Sequence, residues 1–189
     1  MPSNRQLKPK TCRATDCSET FTPWNSTQVV CSPKCALELL SQRKQEKFRK
    51  ETHQRKKDFL AKDRPHQIKL AQKAFNAYIR FRDKDKPCIS CGTTNPNLNY
   101  DCGHYLTIGA HPEHRFNPDN AHRQCHYNCN INRSGNVAAY RLGLLDRIGE
   151  DRLNALESKT ENKKMALEAI KSITRVYKTK LNKLKSLDG

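Results

Sequence analysis

Cysteine spacing constrains this chain of 189 residues more than any apolar pattern does. Eight of its nine cysteines form four close pairs. Cys12, Cys17, Cys31 and Cys35 follow C-x4-C-x13-C-x3-C, while Cys88, Cys91, Cys125 and Cys129 join a C-x2-C to a C-x3-C. Two close pairs of thiolates satisfy one tetrahedral zinc ion. The start, MPSNRQLKPK, has no apolar core, and no run of 18 apolar residues follows. A reducing, non-membrane setting is therefore expected, in which such pairs hold metal rather than form disulfides. Only 35% of the residues are hydrophobic, which favours small stapled modules over one large core. Two structural zinc sites are expected, one for each set of four. A closed four-sulfur site has no open position, so neither is expected to be catalytic. Cys102 is left over and is expected to be a small buried residue.

Thirty-six Lys and Arg against 19 Asp and Glu leave a net charge of +17. An excess of that size is the electrostatic footprint of a nucleic-acid binder. The organisation read along the chain is α+β. Residues 1–40 form an N-terminal four-cysteine module, with Phe21 and Trp24 expected over the metal and Ser32 and Pro33 starting a helix. Residues 41–85 form a basic and amphipathic helical connector. Its stretch 41–64 carries ten cations and four anions, too polar for a buried stripe. Within it Arg43, Lys44, Lys47, Arg49, Lys50, Arg55, Lys56 and Lys57 are the expected DNA-binding residues. Pro65 interrupts, and 66–82 places Ile68, Ala71, Phe75, Tyr78 and Ile79 at helical spacing. Residues 86–140 form a loop-rich core around the second zinc site. Residues 141–189 form a C-terminal helical region, with breaks at Gly149 and around Ser158–Asn162.

The stretch from Cys102 to Asn130 holds five His, four Asn and three Cys. "NLNYDCGHYLTIG" reads as a strand over Asn99–Thr107, "FNPDNAHRQC" as a loop, and "QCHYNCN" as a helix start. A strand with a His, a loop with an Asn and a helix start with Asn or His, framed by two zinc knuckles, resembles the HNH (ββα-metal) nucleases over about residues 86–136. That resemblance implies His104 as general base and Asn120 as the residue orienting it. It implies a hard divalent cation, Mg²⁺ or Mn²⁺, held by Asn130, with Asn132 as the alternative ligand. The family's first ligand precedes the base, where this chain has Gly103, so Asp101 is assigned as the nearest carboxylate. The C-x3-C is one residue longer than the usual spacing, and the turn must absorb it. Arg115 and Arg133 suit a phosphate clamp, with plain solvation as the other reading. His111, His114 and His126 read as surface or phosphate-contacting groups, and His122 as a group behind the site.

Taken in order, "C-x4-C…CSPKC", the basic helix, "RDKDKPCISCGT", "DCGHY", "RFNPDNAHRQC" and "SGNVAAYR" resemble the NinG (Rap) family of lambdoid phage recombination proteins along nearly the whole chain. The resemblance implies a structure-specific endonuclease acting on Holliday junctions and D-loops in the cytoplasm of the bacterial host. A homodimer on a two-fold junction and contacts with other phage recombination proteins are further expectations. The alternative is a zinc-containing DNA-binding accessory without cleavage. A sequence-specific HNH enzyme is a third, weaker option.

Overall fold

A computed structural model describes residues 7–159, 161 and 164–188. The fold is mixed, with long helices and two small two-stranded sheets, and the chain divides into two compact units, Met1–Phe59 and Leu60–Gly189. No helix among the described residues is long and apolar enough to cross a membrane.

In the first unit, β1 (Lys10–Thr11) pairs antiparallel with β2 (Thr20–Phe21). The helix α1 (Pro33–Lys62) begins where expected: Pro33 takes the first helical position and Ser32 Oγ accepts the Cys35 amide at 3.3 Å. The core is Cys12, Ala14 and Cys35, with Phe21 and Val30 half-buried against it. Trp24 does not cover the metal site; it is 82% exposed. Its segment is turned outward by Asn25 Oδ1, which accepts the amides of Thr27 and Gln28.

In the second unit, Asp63 ends α1 and caps α2 (Arg64–Arg82), accepting the His66 amide at 3.2 Å. Pro65 sits in the first turn of α2, where a missing N–H costs nothing. The expected apolar face is real: Ala71, Phe75 and Ile79 are fully buried. This half of the supposed connector is therefore the core helix of its unit. β3 (Tyr100–His104) pairs antiparallel with β4 (Ala121–Cys125), from Tyr100↔Cys125 to His104↔Ala121. The strand is shorter than the expected Asn99–Thr107, because the Leu106 amide goes to the Asn120 side chain instead of a strand carbonyl.

Alternation gives the hairpin two faces. Cys102, His104 and Ala121 share the face that carries Phe75, Ile79, Tyr177 and half-buried Phe116 and Ile173. Gly103, His122 and Gln124 share the other, where Tyr140 Oη donates to the Gly103 carbonyl at 2.9 Å. A second core of Ile89, Tyr105, Tyr140, Leu144, Leu153 and Leu156 lies on that side. It draws on α3 (Val137–Ile148) and α4 (Glu150–Glu157), which are separated at Gly149 with φ +81°. α5 (Leu167–Leu187) buries Ile170 and Tyr177, Tyr177 with Ile173 in the core it shares with α2. Of the second expected break, residues 158, 159 and 161 are non-helical, and residues 160 and 162 lie outside the described residues.

A buried clamp joins α2 to the hairpin. Fully buried Asp83 accepts Arg82 Nε at 2.8 Å, Arg82 Nη2 at 2.6 Å and the Arg123 amide at 3.3 Å. Arg82 also donates to the carbonyls of Pro118 and Ala121. Burial pushes the Asp83 carboxyl up, but the Arg82 guanidinium outweighs it and holds the group below the usual carboxylate range. Removing Asp83 leaves Arg82 half-paired, and Asp83→Ala is expected to cost about 3–5 kcal/mol of stability in urea unfolding. Gly143 on α3 is the other tight contact: a Cβ there would lie 2.0 Å from the Ile89 carbonyl oxygen. Gly→Ala within a helix normally stabilises by about 1 kcal/mol. Here the backbone contact reverses the sign, and Gly143→Ala is expected to lower the thermal midpoint by several degrees.

Candidate metal centres and catalytic site

The four sulfurs of Cys12, Cys17, Cys31 and Cys35 lie within 4.8 Å of one another, as do those of Cys88, Cys91, Cys125 and Cys129. Individual separations are 3.6 Å for Cys17–Cys31 and Cys31–Cys35, 3.9 Å for Cys88–Cys129 and 3.4 Å for Cys91–Cys125. A tetrahedron with Zn–S bonds of about 2.3 Å has S–S edges of about 3.8 Å. A disulfide needs about 2.05 Å. Both sets therefore suit one zinc ion each. Amide donors reinforce thiolate character, from Cys31 to Cys12 at 3.5 Å and from Cys125 to Cys88 at 3.3 Å. Burial raises the Cys12 and Cys88 thiols, but such N–H donors outweigh it and bring each down to about 7. Cys102 stands apart: it is buried among apolar side chains, and that burial pushes its thiol up to about 12.

The long C-x3-C has a concrete solution. Residues His126–Ile131 form a π-helical turn, closed by the Asn132 amide donating to the Tyr127 carbonyl at 2.9 Å. A π turn holds one more residue than an α turn, so Cys129 still reaches the site. The same turn gathers a polar cluster in which the expected pair Asp101 and Asn130 is joined by His126. Asp101 Oδ2 lies 2.5 Å from His126 Nδ1 and accepts Asn130 Nδ2 at 2.8 Å. Asp101 and His126 are each about one-third exposed. His126, read from sequence as a bystander, is thus a partner of Asp101. The signal was its place directly after Cys125, two positions beyond the strand residue opposite Asp101. Asn132 and Arg133 lie on the exposed turn that follows.

His104 points the other way. Its ring packs 6.0 Å from Phe75, and Nε2 is 3.2 Å from the Arg115 carbonyl. Burial holds the imidazole below the ordinary histidine value, against the pull of that carbonyl. Asn120 is fully buried, and its amide is committed to Leu106 at 2.8 and 2.9 Å and to the His114 carbonyl at 3.3 Å. It therefore shapes the loop that delivers the Arg115 carbonyl to His104, and its contact with His104 is indirect. Arg115 Nη1 donates to Gln72 Oε1 at 3.4 Å. His114 is buried rather than superficial. His122 is a core group, pushed down to about 3 by burial and the nearby Arg82 cation.

Gly103 is also explained. A Cβ at this position would meet Gln124 Oε1 at 2.3 Å and Gln124 Cβ at 2.9 Å. The buried Gln124 side chain fills the space and donates to Ser90 Oγ at 2.7 Å. No ligand side chain fits there, which leaves Asp101 as the carboxylate of this strand.

A family model described as "Bacteriophage Lambda NinG protein" matches residues 4–187. The chain belongs to the NinG family. Among its relatives, "Protein ninG" of Escherichia phage lambda is 38% identical over 191 residues, covering 93% of each chain. "Protein ninG" of Salmonella phage P22 is 38% identical over 190 residues, covering 92% of this chain and 93% of the relative. That of Escherichia phage 933W is 37% identical over 195 residues, covering 95% and 96%. No solved structure matches the chain. As a NinG family member, the chain carries both four-cysteine clusters inside the matched span.

Metal analysis of the purified chain is expected to give two zinc ions. Cys102→Ala should keep both, whereas Cys129→Ser should release one and expose the second unit to proteolysis. A Cys102→Ala chain with one zinc would show that the ligand sets are misassigned.

Proposed function

We propose that this chain is a metal-dependent endonuclease that cuts branched DNA, Holliday junctions and D-loops among them, during phage recombination in the cytoplasm of the bacterial host. One observation carries the reading: a partly exposed Asp101–His126–Asn130 cluster and a carbonyl-oriented His104 sit on one short hairpin and the turn that follows it, stapled by a four-cysteine site.

The donor set fits a hard cation. Asp101 and Asn130 offer oxygens, Asn132 lies on the turn beyond them, and His126 adds an imidazole. Mg²⁺ or Mn²⁺ held there supplies charge neutralisation on the phosphate and at the leaving oxygen. His104 does the proton work. In the tautomer whose Nε2–H donates to the Arg115 carbonyl, Nδ1 carries the lone pair that would take a proton from water. Burial keeps the ring neutral near pH 7, the state a base needs. Asn120 fixes the loop that fixes His104. Arg115 and Arg133 and the α1 cations meet backbone phosphates, which favours recognition by shape over base sequence. A homodimer would present two such sites to the opposed strands of a junction, with other phage recombination proteins as further partners.

A second reading, a zinc-containing DNA-binding accessory, has its own support. Asp101 and His104 occupy opposite faces of β3, so base and cation donors do not converge in the free protein.

Labelled four-way junction, D-loop and linear duplex separate the two, with and without added Mg²⁺ or Mn²⁺. Wild type is expected to cut the branched forms, on junctions of unrelated sequence alike. His104→Ala should cut about 10²–10⁴ times more slowly while still binding. The acid limb of the rate should lie below pH 6.5, the ordinary histidine value, because a lowered pKa keeps His104 unprotonated further into acid. If wild type cuts nothing, or His104→Ala cuts as fast, the enzyme reading fails and the accessory reading stands.

A further inference from the structure

α1 has a pattern that its net charge alone does not explain. Leu37, Phe48 and Phe59 lie eleven residues apart, close to three helical turns, so they fall on one line of the helix. All three are open to solvent, at 71%, 70% and 71%. Lys44 and Arg55 occupy the same line between them, also exposed. The first unit thus displays apolar, cationic, aromatic, cationic and aromatic groups in turn along about 33 Å of helix. Single exposed apolar side chains are ordinary, but a ruled line of them at the full length of a solvated helix is not. Only Cys35 of α1 is buried, so the line has no partner among the described residues of its unit.

Charge decides what covers it. A second copy of the helix would bring together two strongly cationic segments, since residues 41–64 carry ten Lys and Arg against four Asp and Glu. The occupant must be a polyanion that also offers flat apolar faces at short intervals. Unpaired nucleotides do both: each has a phosphate for a cation and a base for an aromatic ring. Paired duplex hides its base faces and could use only the cations.

We propose that the Leu37–Phe59 face of α1 binds single-stranded nucleic acid, stacking unpaired bases on Phe48 and Phe59 while Lys44 and Arg55 hold the intervening phosphates. This deepens the branched-DNA reading, since a junction or D-loop exposes such nucleotides, but it requires only nucleic-acid binding and no cleavage.

The test is anisotropy of labelled oligothymidylate and of labelled duplex, without added divalent cation, over a series of salt concentrations. The probe protein is the full zinc-loaded chain. Phe48→Leu with Phe59→Leu keeps apolar bulk and removes the rings. The double variant is expected to lose at least about fivefold per ring in oligothymidylate affinity, with its salt slope unchanged and duplex binding intact. Lys44→Ala should instead reduce the salt slope by about 0.7 on the single strand. Because these side chains are exposed, zinc content and helicity should match wild type in every variant. Oligothymidylate affinity within twofold of wild type in the double Leu variant overturns the proposal and leaves the line to a protein partner. Equal losses on duplex and single strand also overturn it. A chain that stacks single strands but never cuts would keep this inference and sink the nuclease reading.

Discussion

The arrangement of the second unit depends on one tetrahedron of sulfur. Cys88 and Cys91 sit on a knuckle, Cys125 ends β4 and Cys129 lies in the π turn, more than thirty residues along the chain from the knuckle. A zinc ion closing that loop would replace apolar area the chain does not have. It also sets geometry: S–S edges near 3.8 Å require Cys129 to turn back onto β4, and the π turn is how a C-x3-C manages it. The same turn brings Asn130 and His126 to Asp101. The staple and the open polar cluster are thus consequences of one backbone path.

The hairpin above that staple serves two masters because alternate residues face opposite ways. Cys102 and His104 look into the Phe75–Tyr177 core, where burial keeps the imidazole neutral. Gly103 and Gln124 look toward Tyr140, and Asp101 lies at the open end of that side. The Arg82–Asp83 clamp locks α2 to β4 at Ala121 and Arg123, and Ala121 pairs with His104, so the position of His104 is inherited from a buried ion pair. His104 and the Asp101 cluster lie on opposite faces of one strand, so the roles proposed for them would converge only through a substrate that passes the strand end or a shift of the loop carrying Arg115.

The first unit follows a different logic. Its small cysteine-lined core anchors one end of a long helix whose remaining residues face water. On the proposed single-strand face, the cations there would give long-range attraction for phosphate, and the aligned Phe48 and Phe59 would add short-range contact for bases.

The sequence by itself determined the two four-cysteine sets, the helices with their breaks at Pro65 and Gly149, the buried face of α2 and the isolation of Cys102. Each of these is a local or periodic property, carried by ligand spacing, backbone restriction or the 3.6-residue repeat. It also carried the family, through the order of its motifs. It did not reveal that Asn120 ties down a loop rather than His104, that His126 pairs with Asp101, that Trp24 faces water or that Gly103 makes room for Gln124. Those depend on strand register and on which face a side chain takes. A one-residue change in register reverses every such assignment, so only the folded hairpin could decide them.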